Sequence, residues 1–454
     1  MQAAKPTTPM PLIALVLGFF MVIIDVTIVN VALPSIQINL NASVSGLQWI
    51  VDGYTLTFAS LLLSAGNLGD RFGAKIAYIC GLAIFVLSSL GCGLANTFVL
   101  LTVFRLLQGV GAAFLVPTSL ALINSSYENK KDRAQAIGIW AAVGGIAAAS
   151  GPLIGAALTA SFGWRAVFFV NIPVGIIGIL LTMKYITNPF SIAKHGFDIH
   201  GQILAIVGIA ALAFGLIEAG RLGWMSALVI SAFIIFLMSF IAFLAVEQRT
   251  ILPMLPLSLF QSKTFSTAIA IGMILNIGFY GELFILPLYF QQIREYSVLM
   301  TGLAILPLPG FVALASYIAG RIASITGPRL PMIAGLIIGG IGFFALLIVG
   351  RHAPSYLLLA LPLAAIGFGT AFTMPAATIA VINAAPKDQA GIASGALNAS
   401  RQVGSLIGVA IFGTIITTSA NFIFGMQITL LIGGCIFLIG ALVTAVFLQE
   451  THSN

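Results

Sequence analysis

Charged residues are scarce in this sequence. Asp, Glu, Lys and Arg together make up 7% of its 454 residues, whereas soluble globular domains contain about 25%. Hydrophobic residues make up 60%, which leaves too few polar side chains to cover the surface of a soluble protein. The composition therefore excludes the ordinary soluble classes and predicts a protein whose main solvent is lipid.

Cysteine and histidine are also rare, with three and four copies respectively. Cys80, Cys92 and Cys435 all fall in apolar stretches without a C-x-x-C pair, so we interpret them as small hydrophobic residues. The sequence has no G-x-x-x-x-G-K-S/T, G-x-S-x-G or H-E-x-x-H motif. These absences argue against an ATP-driven pump and against an enzyme, and we expect neither a metal nor a cofactor.

Long apolar stretches make up most of the chain. The thickness of the hydrocarbon layer requires roughly 20 apolar residues per helical span, and the sequence contains about fourteen stretches of that length. A transmembrane β-barrel is excluded because barrel strands alternate apolar and polar residues. We therefore predict an all-α polytopic membrane protein with fourteen transmembrane helices.

The distribution of positive charge predicts the orientation in the membrane. If the N-terminus is cytoplasmic, most of the 19 Lys and Arg residues lie in cytoplasmic connections, as the positive-inside rule requires. An even number of spans returns the C-terminus to the same side. We predict a multi-pass protein of the cytoplasmic (inner) membrane with both termini in the cytoplasm. The net charge of +7 reflects this topology and does not indicate a nucleic-acid partner.

A short pattern occurs twice in the chain. Residues 109–117 and 367–375 share G-x-G-x-A-F-x-x-P, and the two copies lie about eight spans apart, so both cross the membrane in the same direction. A parallel repeat is typical of transporters with a site between two halves. We predict an N-terminal six-helix half over residues 1–190, two inserted linker helices over 191–250 and a C-terminal six-helix half over 251–454.

Several polar residues fall inside the predicted spans, where a charge costs about 2.5 to 3.5 kcal/mol. We therefore assign to the proton or substrate site Asp25, Asp52, Arg105, Glu282, Asn398 and Arg401. Asp25, in the middle of the first span, is the candidate proton carrier, although a permanent ion pair or a helix cap would also explain it. Asn398 and Arg401 belong to a polar helix face, which is typical of a wet cavity or of a structural network between helices.

Two glycine-containing segments predict moving parts. The connection between the second and third spans combines turn-forming glycines with charges, and a short loop of this type can latch helix ends together. The candidate latch residues are Gly66, Gly69, Asp70, Arg71, Gly73 and Lys75. In the fifth span, small residues and a proline permit close packing and bending. These residues are Gly144, Gly145, Gly151, Pro152 and Gly155.

Four segments carry a family resemblance. They are D-V-T-I-V-N-V-A-L-P at 25–34, the loop at 66–75, R-L-L-Q-G at 105–109 and W-R-A-V-F-F-V-N-I-P at 164–173. Together they resemble the fourteen-helix drug:proton antiporter family within the major facilitator superfamily, over essentially the whole chain. The resemblance implies the major facilitator fold.

The same resemblance implies roles for individual residues. Asp25 would belong to the proton or substrate site, and Arg105 would assist proton transfer. Asp70 and Arg71 would belong to the conformational latch. The region around Pro152 would match the antiporter motif of the family.

The residues and the resemblance together predict a function. We expect a proton-coupled antiporter that exports amphipathic drugs or toxic organic compounds by alternating access. Asp25, Asp52 and Glu282 favour cationic substrates. The alternative is an exporter of an endogenous metabolite, siderophore or lipid precursor built on the same fold. The expected partners are the small-molecule substrate, protons and the lipid bilayer, and the expected oligomeric state is a monomer.

Overall fold

The computed structural model describes residues 9–127, 129–187, 198–250, 253–350, 355–386 and 389–448. Within these ranges the regular secondary structure is helical, without a strand. The α-helices are α1 (Met10–Leu40), α2 (Val44–Phe72), α3 (Ala74–Leu94), α4 (Phe98–Ser126), α5 (Lys130–Phe162), α6 (Ala166–Phe169), α7 (Asn171–Tyr185), α8 (Ile199–Leu222), α9 (Ala227–Arg249), α10 (Lys263–Leu288), α11 (Val298–Ile305), α12 (Pro307–Gly310), α13 (Val312–Thr326), α14 (Arg329–Leu346), α15 (Tyr356–Ala384), α16 (Ala390–Thr418) and α17 (Phe422–Phe447).

The predicted number of spans is confirmed within these residues. Thirteen helical segments are long and apolar enough to cross a membrane. The remaining span is α2, whose 29 residues pack against α4, α8 and α16 but include the charged Asp52 and Arg71. In this count α6 and α7 form one span, and α11, α12 and α13 form another. The chain is therefore an all-α polytopic membrane protein.

Prolines explain the two interrupted spans. Pro173 has no N–H for the carbonyl of Phe169, four residues earlier, and the helix breaks between α6 and α7. Pro307 and Pro309 remove two further bonds of this kind in the tenth span, which divides into α11, α12 and α13. The break in the sixth span places Asn171 at the start of α7, where it matters for the site described below.

The two copies of the repeated pattern occupy equivalent positions. A side chain at Gly109 in α4 would overlap the backbone of Tyr54 in α2, and a side chain at Gly367 in α15 would overlap the backbone of Leu308 in α12. Each copy therefore packs against the span two before its own. The second glycine of each copy lies against the preceding span: Gly111 against Gly81 in α3, and Gly369 against Gly335 in α14.

Helices α8 and α9 form a hairpin between the two repeated parts. Thr414 in α16 donates a hydrogen bond to the carbonyl of Leu216 in α8 (2.7 Å), and Trp49 Nε1 in α2 donates to Glu218 Oε1 in α8 (3.0 Å). Helix α8 therefore contacts both parts of the molecule, while α9 packs mainly against α8. The predicted domain limits stay predictions, because residues 188–197 and 251–252 lie outside the described ranges.

The two parts meet closely at the end of the bundle that holds the α1–α2 connection, which we call the α1–α2 end. There Gln48 Nε2 in α2 donates to the carbonyls of Val409 (3.2 Å) and Ala410 (2.7 Å) in α16. Gln292 Nε2 donates to Gln37 Oε1 (2.8 Å) at the same end. We call the contact of α2 with α16 around Gln48 the seam.

The opposite end, which holds the α2–α3 connection, has open positions on three helices. Gly138 in α5, Gly320 in α13 and Gly391 in α16 have no atom within 4 Å of the position that a Cβ would occupy. These three helices all have an end on this side of the bundle. At the same end, a Cβ on Gly395 in α16 would lie 2.9 Å from Leu63 in α2, so the two parts also meet there.

Candidate transport site

The predicted acid of the first span forms a buried ion pair. Asp25 is fully buried in α1, and its Oδ2 pairs with Nη1 of Arg105 in α4. Nε of Arg105 donates to the carbonyl of Ile50 in α2 (3.0 Å), and the guanidinium lies 4.4 Å from the centre of the Tyr54 ring, a cation–π contact. Asp25 and Arg105, both predicted site residues, are thus in direct contact. The Arg105 side chain also contacts Ile50 and Tyr54, which belong to the first half.

Two amide side chains complete the surroundings of the carboxylate. Gln108 Nε2 and Asn171 Nδ2 each donate to Asp25 Oδ1 at 3.0 Å. Both amides also contact Ser89 Oγ, at 3.3 Å and 3.1 Å respectively, and Ser89 donates to the carbonyl of Phe168 (2.8 Å). Charge-assisted bonds of this kind stabilise the ionised carboxylate. The cluster joins α1, α3, α4 and α7 through a single acid.

Sequence reasoning missed Asn171 and Ser89 as members of the site. Asn171 lies in the W-R-x-x-F-x-x-N-x-P segment that carried the family resemblance, and the break before α7 turns its amide towards Asp25. An uncharged amide near a span terminus costs little free energy in the membrane, so the sequence position of Asn171 does not by itself indicate a functional site. Gln108 was noticeable because it lies one helical turn from Arg105.

The polar face of α16 divides into two parts. Arg401 Nη1 donates to Asn398 Oδ1 in the same helix (3.2 Å), and the stem of Arg401 passes close to Gly272 in α10. Ser405, one turn further along, instead contacts Asn276 Oδ1 in α10 (3.5 Å). Asn398 and Arg401 are half-buried, while Ser405 is buried. The face therefore combines a structural contact with a partly open polar pair.

Glu282 lies away from the Asp25 cluster. It is fully buried in α10, and neither carboxyl oxygen has a hydrogen-bond partner among the described residues. Glu282 follows Gly278 by one helical turn, and Gly278 packs against Phe343 of α14 and Phe437 of α17. Because residues four apart share a helix face, Glu282 faces the interior of the second half. The structure does not bring it together with Asp25.

Asp52 lies at the seam between α2 and α16. Within the described part of the chain, both of its carboxyl oxygens are buried without a hydrogen-bond partner. One turn away on the same face, Gln48 bonds to the backbone of α16. One turn away in the other direction, Leu56 packs with Ala213 of α8 and Leu406 of α16. Asp52 is therefore enclosed by α8 and α16 and does not join the Asp25 cluster.

The predicted latch residues Gly66, Gly69, Asp70, Arg71, Gly73 and Lys75 occupy the end of α2 and the start of α3. Gly73 has a φ of 94°, a conformation that favours glycine. Lys75 Nζ donates to the carbonyl of Met183 in α7 (3.1 Å), and Arg71 is exposed with its guanidinium near the Phe72 ring. The side chain of Asp70 lies outside the described part, so the latch stays a prediction.

The predicted antiporter motif lies within α5 and comprises Gly144, Gly145, Gly151, Pro152 and Gly155. Gly151 and Gly155 pack against Ile28 in α1. A Cβ placed on Gly151 would lie 3.2 Å from the Ile28 N, and a Cβ placed on Gly155 would lie 2.9 Å from the Ile28 Cγ1. Gly145 has no atom within 4 Å of the same position. Helix α5 therefore uses two glycines of the motif to approach α1 directly beside Asp25.

The sequence is similar to known transporters over most of its length. The Major Facilitator Superfamily model matches residues 15–246, 199–409 and 309–454. The methylenomycin A resistance protein of Streptomyces coelicolor is 36% identical over 429 residues, which cover 94% of this chain and 90% of that protein. The multidrug resistance protein Stp of Mycobacterium tuberculosis is 37% identical over 410 residues, which cover 90% of this chain and 76% of that protein.

The fold is similar to that of a solved transporter. The crystal structure of an auto inhibited POT family peptide transporter superposes with a TM-score of 0.72, covering 98% of this chain and 99% of that one. The two sequences are 14% identical, so this likeness concerns the fold alone.

Proposed function

Since the chain belongs to the major facilitator superfamily and is a membrane transporter rather than an enzyme, we propose that it is a proton-coupled antiporter that exports amphipathic small molecules by alternating access. The observation that carries this proposal is the buried pair of Asp25 and Arg105. A fixed charge pair inside a membrane protein is costly and usually functional. Here it links two helices through a group that can accept a proton.

Protonation of Asp25 would change how four helices are held together. A neutral carboxyl no longer attracts the guanidinium of Arg105, and a buried charge without its partner is strongly unfavourable. The bonds from Gln108 and Asn171 weaken as well, because the acceptor loses its charge. Proton binding therefore loosens α1 from α4 and α7, and proton release restores the contacts. A proton bound at Asp25 thereby allows these helices to move.

The energy available from protons is sufficient for export. One proton crossing about 100 mV supplies about 2.3 kcal/mol, which corresponds to a roughly fiftyfold substrate gradient at one-to-one electrogenic coupling. We propose that the protein works as a monomer in the cytoplasmic membrane with both termini in the cytoplasm. In that orientation the seam lies on the external side, and the α2–α3 end faces the cytoplasm.

Other elements support alternating access. The close approach of α5 to α1 at Gly151 gives a smooth surface on which the two helices can slide. The latch residues at the α2–α3 connection lie on the cytoplasmic side in the proposed orientation, where contact between the halves must form when the seam opens. Asp70 and Arg71 would provide the charges for that contact.

The names of the similar proteins favour drugs as substrates. One is a methylenomycin A resistance protein and another is a multidrug resistance protein. We therefore propose export of drugs or toxic organic compounds in preference to an endogenous metabolite, siderophore or lipid precursor.

Uptake into proteoliposomes with an acidic interior tests the proposal. The two probes are a rhodamine carboxylate and its methyl ester, which share one xanthene core. We expect uptake of at least one probe to require the pH gradient and to be abolished by Asp25→Asn, because the amide keeps the shape of the side chain but cannot exchange a proton. The matched control is Glu295→Gln, which removes an exposed acid outside the spans and should leave uptake unchanged. Gradient-independent uptake, or equal uptake by Asp25→Asn, would refute proton coupling through Asp25.

A further inference from the structure

Arg401 is a half-buried cation whose hydrogen-bonding capacity is only partly used. Its Nε is buried without a partner among the described residues, and its Nη1 bonds to the neutral side chain of Asn398. A guanidinium carries five donors in a planar fork that fits a carboxylate in two contacts. Arg401 therefore presents unused donors at the interface of α10 and α16.

The acids of the membrane interior are not placed to neutralise Arg401. Asp25 is paired with Arg105 in the first half. Glu282 faces the core of the second half, and Asp52 is enclosed at the seam; in the described chain neither has a partner. Both ion pairs found within the described residues involve other groups. The positive charge of Arg401 thus has no ion-pair partner in the part of the chain that the structure describes.

An aromatic side chain lies on the same interface. Tyr280 in α10 follows Asn276 by one helical turn, and the amide oxygen of Asn276 contacts Ser405 of α16. Ala399, in the same turn of α16 as Arg401, packs against the core of the first half. Arg401 and Tyr280 therefore both belong to the interface of α10 and α16 beside the first half. A cation and an aromatic ring in one interface suit an amphipathic ligand.

We propose that Arg401, with Asn398 and Tyr280, binds the carboxylate of an amphipathic organic anion in the transport path. This inference rests on the proposed function in one respect, namely that the space between the halves is the path of the substrate. It differs from the cationic substrate that the sequence predicts. The count of intramembrane acids favours cations only if those acids face the substrate, and the structure turns Asp52 and Glu282 elsewhere.

Binding of the two rhodamine probes to the purified full chain in lipid nanodiscs tests the proposal, with fluorescence anisotropy as the readout. The probes differ in whether one carboxylate is free or esterified. We expect wild-type protein to bind the free carboxylate more tightly. In Arg401→Gln this preference should fall by roughly ten- to a hundredfold, the range expected for losing a hydrogen bond to a charged group. Arg401→Lys, which keeps the charge but not the fork, should lose less.

The matched control is Arg249→Gln, which makes the same change of net charge at an exposed position at the end of α9 and should leave the preference intact. Equal binding of both probes by wild type, or a parallel loss of both probes in Arg401→Gln and Arg401→Lys, would overturn the proposal and make Arg401 a structural residue. Because binding is measured without a pH gradient, its outcome is independent of whether Asp25 couples transport to protons.

Discussion

Asp25 and Arg105 are coupled through a buried ion pair. Both side chains are buried, and a single ion pair connects them. Removing one partner from such a pair leaves a charge in a low-dielectric interior, whereas removing both leaves two neutral groups. The intact pair therefore contributes little to the free energy of unfolding, whereas loss of one partner strongly destabilises the protein.

Thermal unfolding of three variants in detergent tests this dependence. Arg105→Gln should destabilise the protein by about 3 to 5 kcal/mol, because the Asp25 carboxylate loses its charged partner. Adding Asp25→Asn to that variant should recover most of the lost stability, since no charge then remains. A double variant that unfolds at the same temperature as Arg105→Gln would show that the two residues are not energetically coupled.

The residue scale also shows where sequence reasoning succeeds and where it fails. Asp25 and Arg105 could be predicted because a charge inside an apolar span is expensive and therefore conspicuous. Asn171 could not be selected in this way, because its role comes from the break before α7 and from a partner far away in the sequence. The direction of Glu282 could not be predicted either. The apolar residues of α10 are spread around the whole helix, so its sequence does not say which neighbouring helices Glu282 faces.

At the scale of elements, the contact of α5 with α1 depends on individual glycines. A Cβ at Gly151 would come within 2.8 Å of Thr27 Cβ and 3.2 Å of the Ile28 N in α1. A Cβ at Gly145, in the same helix and the same predicted motif, would meet no atom within 4 Å. The two positions therefore form an internal comparison between a packed glycine and an open one.

Alanine substitutions at Gly151 and Gly145 should have different effects on stability. Gly151→Ala should lower the stability by about 1 to 3 kcal/mol and reduce transport, because α5 must move away from the acid-bearing part of α1. Gly145→Ala should keep the stability or raise it by up to about 1 kcal/mol, as alanine is the better helix former. Thermal unfolding and probe uptake by both variants provide the measurement. Equal effects at the two sites would contradict the packing described for α1 and α5.

The number and order of the spans could be predicted because each apolar stretch is long enough to cross the bilayer by itself. The equivalence of the two repeated segments could also be predicted from the sequence, since Gly109 and Gly367 recur in the same pattern. Both glycines pack against the span two before their own. The role of α8 was not accessible. Its hydrogen bonds come from Trp49 of α2 and Thr414 of α16, partners that a hydropathy pattern does not identify.

At the scale of the whole molecule, the charge of the substrate decides how the membrane potential acts on transport. Exchange of one proton for one monovalent organic cation moves no net charge. Exchange of one proton for one monovalent organic anion moves two charges in the same electrical direction, which is worth about 4.6 kcal/mol per 100 mV. Export of an anion is therefore assisted by a potential that is negative in the cytoplasm.

A potassium diffusion potential, set with valinomycin and without a pH gradient, measures this effect in proteoliposomes. We expect a lumen-positive potential to accelerate uptake of a purely anionic xanthene carboxylate, because the lumen then corresponds to the outside of the cell. Vesicles without protein are the control. Uptake that is indifferent to the potential would contradict electrogenic exchange of an anion for a proton.

Helix α8 is hydrogen-bonded to both parts of the molecule. Its Glu218 accepts from Trp49 of α2, and its Leu216 carbonyl accepts from Thr414 of α16. A rigid helix can move together with only one of these two parts. In the proposed alternating-access cycle, one of these two attachments breaks and re-forms each time. The hairpin of α8 and α9 then provides a reversible contact between the two parts, and a compound dissolved in the lipid could stabilise that contact without entering the transport path.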